Sequence, residues 1–335
     1  MTSPAISVVM AAYNAERFIA EAIESVRSQT RGDWELIILD DASSDQTAAI
    51  AQTFSSGDER IHLRRLQRLG SPARVRNAGI SLARGELITF LDADDCLPPT
   101  ALAEVSAPLD QDPALIAAYG FVACLDLDGR PTQGPGFRLR RNSQGEYALP
   151  KGYAHSWKRV ALGQVESSVA IMVRADTLRA LGGFCESLGA AEDLALRYAL
   201  FLQKFDGIRA IPCVAYHYRL NPQSLTRQKP NADALLRNHL DAQDVLLNQP
   251  QTPAEVHLLA SQALAKRYRY AASVILSQGH AGLARQTALK VFRDRRVHPL
   301  HAFKAFVPLA LRSLLPGRWE RAMKTLAIRL RDGAR

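Results

Sequence analysis

The sequence predicts an α/β protein with a mostly parallel sheet, followed by a helical C-terminal region. Over the first hundred residues, short apolar runs alternate with amphipathic helical patterns, which is typical of a parallel sheet covered on both faces. From about residue 233 to the end, the pattern is helical throughout. The chain has 335 residues, whereas single hydrophobic cores stop growing at roughly 250–300 residues, so more than one domain is expected.

The strand and helix patterns follow one another from the N-terminus. The run Ile6–Met10 predicts a buried strand, and Glu16–Gln29 predicts a helix because its apolar residues recur at helical spacing. The later predicted strands are Leu36–Leu39, Ile61–Leu63, Leu87–Leu91, Leu115–Leu125, Val169–Val173 and Ala210–Tyr218. The predicted helices between them are Gln46–Phe54, Arg74–Ala83, Thr100–Leu109, Thr177–Leu181 and Leu194–Phe205.

Residues 126–160 interrupt this alternation with glycines, prolines and basic residues. The segment fits either a solvated surface loop or a basic lid over an anionic ligand. Its basic residues after the first turn are Arg138, Arg140, Arg141, Lys151, Lys158 and Arg159.

Composition excludes several classes of protein. The cysteines Cys96, Cys124, Cys185 and Cys213 contain no CxxC pair and are too few to staple this chain, so neither a zinc ribbon nor a disulfide scaffold is expected. No apolar run reaches the roughly 20 residues of a membrane span. The segment Met1–Ser7 lacks the basic residues of a signal peptide. We therefore expect a cytoplasmic protein, either free or peripheral on the inner face of the cytoplasmic membrane.

The positive charge is concentrated at the C-terminus. The chain carries 42 Lys and Arg against 33 Asp and Glu, a formal net charge of +9. Residues 261–335 hold 16 of the basic and 3 of the acidic residues, so the rest of the chain has a net charge of −4. Basic and apolar residues are interleaved in Arg285–Arg296 and Phe303–Trp319. This pattern fits either an interfacial helix on an anionic membrane or a packed helical subdomain with solvated basic faces.

Polar side chains follow three of the predicted strands, in the segments Tyr13–Asn14, Asp40–Asp41 and Asp92–Asp95. In sheets of this type, ligands bind outside the carboxyl ends of the strands. Three carboxylates within four residues repel one another unless a cation lies between them, and their oxygens suit Mg²⁺ or Mn²⁺. A capped turn is the alternative, since Asp is common before a helix and DxD is frequent by chance.

A second acidic pair, Glu192-Asp193, begins a predicted helix. Carboxylates in a first helical turn are stabilised by the helix dipole, so capping explains the pair as well as a general base does. No GxGxxG or GxxxxGK[ST] phosphate cradle is present. Cys96 lies beside the acidic cluster without a paired His, which is more typical of a small core residue than of a nucleophile.

Five segments in one order resemble the family 2 glycosyltransferases, which are inverting enzymes with the GT-A fold. The segments are Ser7–Asn14, Leu39–Thr47, Val75–Gly79, Gly85–Asp95, and Gly182–Phe184 with Glu192-Asp193. The resemblance covers about residues 5–226. It implies a GT-A catalytic domain over residues 1–230, with a nucleotide half at about 1–100 and an acceptor half at about 101–230. Residues 231–335 would form a basic helical C-terminal region.

The resemblance also implies a nucleotide site. Tyr13 would pack against the base, and Asp41 would accept a hydrogen bond from the imide N–H of uracil or thymine. The donor would therefore be a UDP- or dTDP-sugar. The implied nucleotide-binding residues are Ala12, Tyr13, Asn14, Asp41, Arg76 and Asp92.

The implied chemistry is transfer of a sugar to a hydroxyl of a glycan or of a lipid-linked acceptor. Asp94 would bind Mn²⁺ or Mg²⁺ on the diphosphate, where the metal neutralises the charge of the leaving group. Asp193 corresponds to the family's catalytic base. Glu192 would flank the acceptor.

The sequence departs from the family pattern at two places. Ala11 stands where a Pro is common before the Tyr-Asn pair. Asn221 stands where the family often has a His two residues after an Arg, so another group would take over any role of that His. His217 and Arg219 are candidates for contact with the acceptor or the diphosphate.

Three functions are compatible with these features, and a glycosyltransferase is favoured. A nucleotide-sugar-binding protein without turnover is disfavoured by the intact Asp94 and Asp193. A nucleic-acid-binding protein is suggested by charge alone, and the sequence lacks a recognition helix, RNP aromatics and zinc fingers. The expected partners are therefore a nucleotide-sugar donor, an acceptor and an anionic membrane surface at the basic C-terminal region, with no nucleic acid.

Overall fold

The computed structural model describes residues 4–132, 170–188, 191–204, 206–222, 240–244, 252, 254–277, 279–295 and 297–302. The chain divides into two compact units, one made of residues 1–160 and 164–228, the other of residues 161–163 and 229–335. The basic residues of the predicted lid and the tail stretch Phe303–Trp319 lie outside the described residues.

The first unit is a sheet with helices on its connections. Its strands are β1 (Ile6–Ala12), β2 (Trp34–Asp40), β3 (Ile61–Arg65), β4 (Leu87–Asp92), β5 (Ala117–Leu125), β6 (Pro131–Thr132), β7 (Ile171–Arg174) and β8 (Ile208–Arg219). Its helices are α1 (Ile19–Arg27), α2 (Thr47–Gly57), α3 (Pro72–Leu82), α4 (Ala101–Gln111), α5 (Ala175–Ala180) and α6 (Glu192–Gln203).

The strand order is β3-β2-β1-β4-β7-β5-β6, with β8 paired to β5. Strands β1 to β4 are mutually parallel, β7 runs antiparallel to both β4 and β5, and β8 is parallel to β5. The predicted mostly parallel sheet is therefore confirmed. Because β1, β2 and β4 run in the same direction, their carboxyl ends meet at one edge of the sheet.

Helix α1 is shorter than the pattern Glu16–Gln29 suggests, although its predicted apolar face is buried. Residues 16–18 form a turn, and main-chain N–H groups at its start find partners at the beginning of α2 and just before it. The N–H of Ala15 donates to Oγ1 of Thr47 at 2.7 Å, and that of Glu16 donates to Oδ2 of Asp45 at 3.1 Å. These bonds satisfy donors that a longer helix would leave unpaired at its N-terminus.

The start of the interrupted segment at 126–160 is a tight turn. Oδ1 of Asp126 accepts hydrogen bonds from the N–H groups of Asp128 and Arg130, both at 2.9 Å. Gly129 has a φ of +78°, which favours glycine. The chain then returns as β6 and pairs with β5.

Helix α3 lies so close to the sheet that Gly79 has no room for a side chain. A Cβ there would lie 2.3 Å from Cγ1 of Val9 and 3.1 Å from Cδ2 of Leu39. We expect Gly79→Ala to lower the free energy of unfolding by about 1–3 kcal/mol, because overpacking outweighs the gain in helix propensity. Urea unfolding would measure the change. Gly57→Ala is the matched control, since a Cβ at Gly57 meets no atom within 4 Å; equal midpoints for the two variants would contradict the expectation.

A buried carboxylate, Glu35, ties β1 and β2 to the connection before β4. It accepts hydrogen bonds from the Ser7 hydroxyl at 2.6 Å, the Arg84 main-chain N–H at 2.7 Å and the Arg84 guanidinium at 2.9 Å. Burial alone would raise the pKa of Glu35, but these hydrogen bonds and the charge of Arg84 bring its pKa below the ordinary value of 4.5.

A depressed pKa means that the stabilisation by Glu35 is present above its ordinary pKa and is lost as the pH falls through the folded value. We expect Glu35→Gln to lower the free energy of unfolding by roughly 1–3 kcal/mol at pH 7. The deficit is expected to shrink as the pH is lowered below 4.5. Urea titrations across this range would measure it, and a pH-independent deficit would contradict the assignment.

The second unit is helical where the structure describes it, as predicted. Its long helices are α7 (Ala254–Ser277) and α8 (Ala281–Arg293), with shorter helical segments at 240–244 and 299–302. Leu264, Tyr268 and Val291 belong to its buried cluster. No helix among the residues described here is long and apolar enough to cross a membrane.

Candidate active site

The three predicted polar segments meet at the carboxyl edge of the sheet. In the sheet register, Ala12 lies opposite Asp40, and Ala11 lies opposite Asp92. Beyond the strands, the N–H of Asp41 donates to the carbonyl oxygen of Ala12 at 2.9 Å, and that of Ala93 donates to the oxygen of Ala11 at 3.2 Å. The structure therefore brings Tyr13, Asp41 and Asp92 to one edge of the sheet.

Backbone strain is concentrated beside the predicted site residues. Among the described non-glycine residues, positive φ angles occur at Asn14 (47°), Ala42 (58°) and Ala191 (64°). Each adjoins a predicted site residue, and such conformations persist only where surrounding contacts enforce them. At Asn14 those contacts are visible: its main-chain N–H donates to the Ser43 hydroxyl at 3.0 Å, and its Oδ1 accepts from the Ser44 N–H at 2.9 Å. The Asn14 side chain thus joins the loops after β1 and β2.

Asp41 is buried, and its carboxylate is held by the loop after β3. Oδ1 accepts the N–H of Leu69 at 2.5 Å, and Oδ2 accepts that of Gly70 at 3.0 Å. Nη1 of Arg68 lies 2.5 Å from the same Oδ2. The guanidinium carbon of Arg68 also lies 3.4 Å from the centroid of the half-exposed Tyr13 ring. Arg68 thus joins the two predicted base-binding residues, and the sequence patterns gave no indication of it.

The acidic segment after β4 separates into inward and outward carboxylates. Asp95 is buried and accepts hydrogen bonds from the Tyr216 hydroxyl at 2.8 Å and from the Arg219 N–H at 2.7 Å. Burial and the charge of Asp94 raise the pKa of Asp95 well above its ordinary range. Asp95 therefore anchors the segment to β8, while Asp92 and Asp94 are only partly buried at the sheet edge.

The charge of Asp94 is compensated only in part, by a hydrogen bond from Asn221 and by the nearby charge of Arg219. Its Oδ2 accepts a long hydrogen bond of 3.3 Å from the Asn221 amide. Burial, followed by the charge of Asp92, raises the pKa of the Asp94 carboxyl. No three His, Cys, Asp or Glu side chains form a metal-binding group among the residues that the structure describes. A carboxylate with a raised pKa beside a second carboxylate nevertheless suits a cation whose remaining ligands come from a substrate.

Arg76 links the strand-end carboxylates to the second acidic pair. Its Nη2 donates to Oδ1 of Asp92 at 2.7 Å, and its Nη1 donates to Oε1 of Glu192 at 2.7 Å. Burial would lower the pKa of Arg76, but the charges of Asp92, Glu192 and Asp193 raise it above the ordinary value. The guanidinium is therefore a buried permanent charge that joins residues about 100 positions apart in the sequence.

Asn77, the next residue, clamps the segment that leads to α6. Its amide nitrogen donates to the carbonyl oxygen of Phe184 at 2.9 Å, and its Oδ1 accepts the Phe184 N–H at 2.8 Å. Gly183 has a φ of +74°, and a Cβ there would lie 2.4 Å from Oδ1 of Asn77. The Phe184 ring packs edge-on against Phe90 in β4, with centroids 4.9 Å apart. The segments Val75–Gly79 and Gly182–Phe184, which both resemble segments of the family, thus contact each other.

Glu192 and Asp193 begin α6 after Ala191. Burial raises the pKa of Glu192, and the charge of Arg76 opposes that shift. Asp193 is partly buried, and its Oδ1 accepts the N–H of Leu194 at 2.7 Å. Its charge is one of those that raise the pKa of Arg76, so it lies at the same site.

Arg219 lies beneath the acidic segment, with only 1% of its surface exposed. Its Nε donates to the carbonyl oxygen of Asp94 at 2.9 Å, and its Nη2 donates to Oε2 of Glu21 at 2.7 Å. A guanidinium with these partners positions the main chain of Asp94. Asn221, where the family often has His, donates to the carboxylate of the same residue.

His217 and Cys96 pair through their main chains on the other side of this segment. The N–H of His217 donates to the Cys96 oxygen at 2.8 Å, and the N–H of Cys96 donates back at 3.1 Å. Burial lowers the pKa of His217. Burial and the charge of Glu21 raise the pKa of the Cys96 thiol to about 12, so it stays protonated at neutral pH and is no nucleophile.

Comparison with known proteins supports the resemblance noted in the sequence. Residues 7–166 match the family model described as glycosyl transferase family 2. The uncharacterized glycosyltransferase EpsJ of Bacillus subtilis is 28% identical over 249 residues, which cover 73% of this chain and 70% of EpsJ. The succinoglycan biosynthesis protein ExoO of Rhizobium meliloti is 38% identical over 149 residues, which cover 44% of this chain and 40% of ExoO. The chain thus spans less than half of ExoO.

The fold also matches a solved structure. Residues 1–349 of TarS from S. aureus superpose with a TM-score of 0.61 at 17% identity, covering 92% of this chain and 90% of that chain. The same TarS fragment has been crystallised with UDP and with UDP-GlcNAc. At this identity the similarity establishes the fold alone, and it confirms the predicted GT-A fold.

Proposed function

This chain carries a domain of glycosyl transferase family 2, and we propose that it transfers a sugar from a UDP- or dTDP-sugar to an acceptor hydroxyl. The observation that carries the proposal is the double ion pair of Arg76 with Asp92 and Glu192. It holds the carboxylates after β4 and those at the start of α6 at one site. A glycosyltransferase needs this arrangement, because the donor and the acceptor must meet within bonding distance.

The donor end of the site uses the strand-end residues. Tyr13 offers a half-exposed ring on which a base stacks, and Asp41 offers a fixed carboxylate that accepts an imide N–H. The complexes of TarS with UDP and UDP-GlcNAc support a uridine nucleotide. Ala12 and Asn14 shape the loop beneath the base, and Asp92 lies nearer the ribose or sugar.

A divalent cation, Mn²⁺ or Mg²⁺, would be held by Asp94 together with oxygens of the diphosphate. When bound, it supplies Lewis-acid neutralisation of the leaving group. The position of Asp94 beside the charge of Asp92, which together with burial raises the pKa of Asp94, supports this assignment. Arg219 donates a hydrogen bond to the main-chain oxygen of Asp94, and Asn221 donates one to its carboxylate. Both residues therefore help to position Asp94.

The acceptor end uses the start of α6. Asp193 accepts the proton of the attacking hydroxyl, and the nucleoside diphosphate leaves from the opposite face of the sugar, so the anomeric configuration inverts. Glu192 is fixed by Arg76 and flanks the acceptor. The acceptor is a hydroxyl of a glycan or of a lipid-linked glycan, as the role of ExoO in succinoglycan biosynthesis suggests for a relative.

Helix α8 supports peripheral contact with an anionic membrane. It exposes Leu289 and Phe292 together with Arg285 and Arg293. Apolar side chains edged by guanidinium groups suit the interface of an anionic bilayer. Sedimentation with vesicles that contain phosphatidylglycerol tests this point, and equal recovery with purely phosphatidylcholine vesicles would reject it.

Two experiments test the proposed reaction. A panel of nucleoside diphosphates with MnCl₂ should raise the melting temperature for UDP or dTDP and not for GDP, because a ligand that binds the native state stabilises it by mass action. Release of UDP from a panel of UDP-sugars then detects turnover, with Asp94→Asn as the metal-site control. Absence of any nucleotide-dependent shift, with salt-sensitive DNA binding instead, would reject the proposal.

A further inference from the structure

Arg68 makes the two contacts that a nucleobase would need. Its planar guanidinium stacks on the Tyr13 ring at 3.4 Å, and its Nη1 lies 2.5 Å from Oδ2 of Asp41. Nη1 also lies 3.2 Å from the main-chain oxygen of Asp41. A planar group lying over an aromatic ring and donating to a carboxylate is what an imide base would be in the same place.

The Arg68 guanidinium and a nucleobase cannot occupy this site at the same time. Arg68 covers the face of the Tyr13 ring that a base bound to Asp41 would need, because the same guanidinium contacts both residues. Of the acceptor positions on the Asp41 carboxylate, two are taken by the N–H groups of Leu69 and Gly70 and a third by Arg68. A carboxylate offers about four such positions, and only the guanidinium among these donors belongs to a side chain that can turn away.

The surrounding loop allows Arg68 to leave. The side chain is 46% exposed, so water already hydrates part of it and an outward rotation buries no charge. The main-chain bonds of Leu69 and Gly70 to Asp41 do not depend on the guanidinium. Asp41 therefore keeps its orientation after Arg68 has moved.

We propose that Arg68 occupies the nucleobase position in the nucleotide-free protein and that the donor binds by displacing it. This inference rests on the proposed function, since it assumes that the base binds between Tyr13 and Asp41. Arg68 thus sets the apparent affinity for the donor, because only molecules with the guanidinium displaced are competent to bind. In the free protein it also forms an ion pair with the buried Asp41.

Arg68→Ala is expected to bind UDP more tightly than the unchanged protein. A cation over an aromatic ring and an ion pair of a half-exposed side chain correspond together to about a tenfold factor in Kd. The gain should be the same for CDP, because the guanidinium is displaced before either base enters. Titration calorimetry with UDP and MnCl₂, and competition for CDP, would measure both constants.

Arg60→Ala is the matched control. Arg60 stacks on Trp34 at 3.9 Å and pairs with Asp58 at 2.8 Å, so it makes the same two kinds of contact at the opposite end of β2. The substitution Arg60→Ala removes the same charge as Arg68→Ala and should leave the Kd of UDP unchanged. Equal or weaker UDP binding by Arg68→Ala would overturn the proposal. A changed ratio of UDP to CDP affinity would do so as well, since it would show that Arg68 contacts the bound base.

A second measurement separates this inference from the proposed function. Arg68→Ala and Tyr13→Ala, alone and combined, form a double-mutant cycle on the urea midpoint of the nucleotide-free protein. Non-additive midpoints are expected because the two side chains touch. Additive midpoints would contradict the contact of Arg68 with Tyr13 in the nucleotide-free protein, whether or not any nucleotide binds. If the midpoints are non-additive but no nucleoside diphosphate binds any variant, the proposed function is wrong, although the contact between Arg68 and Tyr13 is confirmed.

Discussion

Replacing Asp193 by Asn is expected to slow sugar transfer by about 10²–10⁴-fold, the usual contribution of a positioned general base. The amide cannot accept the proton that the attacking hydroxyl loses. The volume and the hydrogen bond from the Leu194 N–H are retained, because the amide oxygen also accepts. The Kd of UDP should therefore stay unchanged. Initial rates at saturating UDP-sugar, together with calorimetric titration of UDP, would measure the two quantities.

Asp176→Asn serves as the control for this variant. Asp176 also lies in the first turn of a helix, α5, but its side chain is fully exposed. It should transfer sugar at the unchanged rate. A transfer rate for Asp193→Asn within a few-fold of that control would place the base elsewhere, and Glu192→Gln would be the next variant to test.

Replacing Arg76 by Met is expected to lower the free energy of unfolding by about 3–5 kcal/mol, as when one partner of a buried ion pair is removed. Two carboxylates, those of Asp92 and Glu192, would lose their shared cation. Sugar transfer should be lost as well, because the start of α6 would no longer be tied to β4. Urea unfolding and UDP release would measure the two effects.

The stability deficit of Arg76→Met should depend on pH. Burial raises the pKa of Glu192 and Arg76 opposes that shift, so without Arg76 the pKa of Glu192 should rise further. A carboxyl with a raised folded pKa destabilises the protein as the pH rises above its unfolded value, so the deficit should be larger at pH 8 than at pH 5.

Two further variants complete this test. The double variant Arg76→Met with Glu192→Gln should recover part of the stability, because no unpaired charge then remains at position 192. Arg130→Met removes a guanidinium whose side chain is 78% exposed and whose partner Asp128 is 64% exposed, and it should change the free energy of unfolding by under about 0.5 kcal/mol. Equal deficits for Arg76→Met and Arg130→Met would contradict the central role of the double ion pair.

Periodicity predicted most of the fold because it records burial along each element. The apolar runs of β1, β2 and β4 are buried on both faces, and the face of α1 is buried as predicted. The residues at which helices begin and end were less predictable. Helix α1 starts at Ile19 because Thr47 and Asp45, distant in sequence, bind the N–H groups before it.

The position of the site could also be predicted in part from the sequence. Tyr13, Asp41 and Asp92 follow strands of one direction, so their place at a common edge follows from the strand order along the chain. Asp95 belongs to the same acidic segment, yet it faces inward to Tyr216 and Arg219. Only the position of β8, whose Tyr216 and Arg219 lie about 120 residues further along the chain, decides which of the carboxylates points away from the edge.

What the sequence alone determined is thus the order of strands and helices, the edge where the polar residues gather and the family that this pattern resembles. The tertiary structure decided the partners of the arginines. Arg68 lies on Tyr13, Arg76 bridges Asp92 and Glu192, and Arg219 supports Asp94 from below. The physical reason is that burial leaves a local periodic signal, whereas a long charged side chain pairs with whatever acceptors the fold brings within its reach.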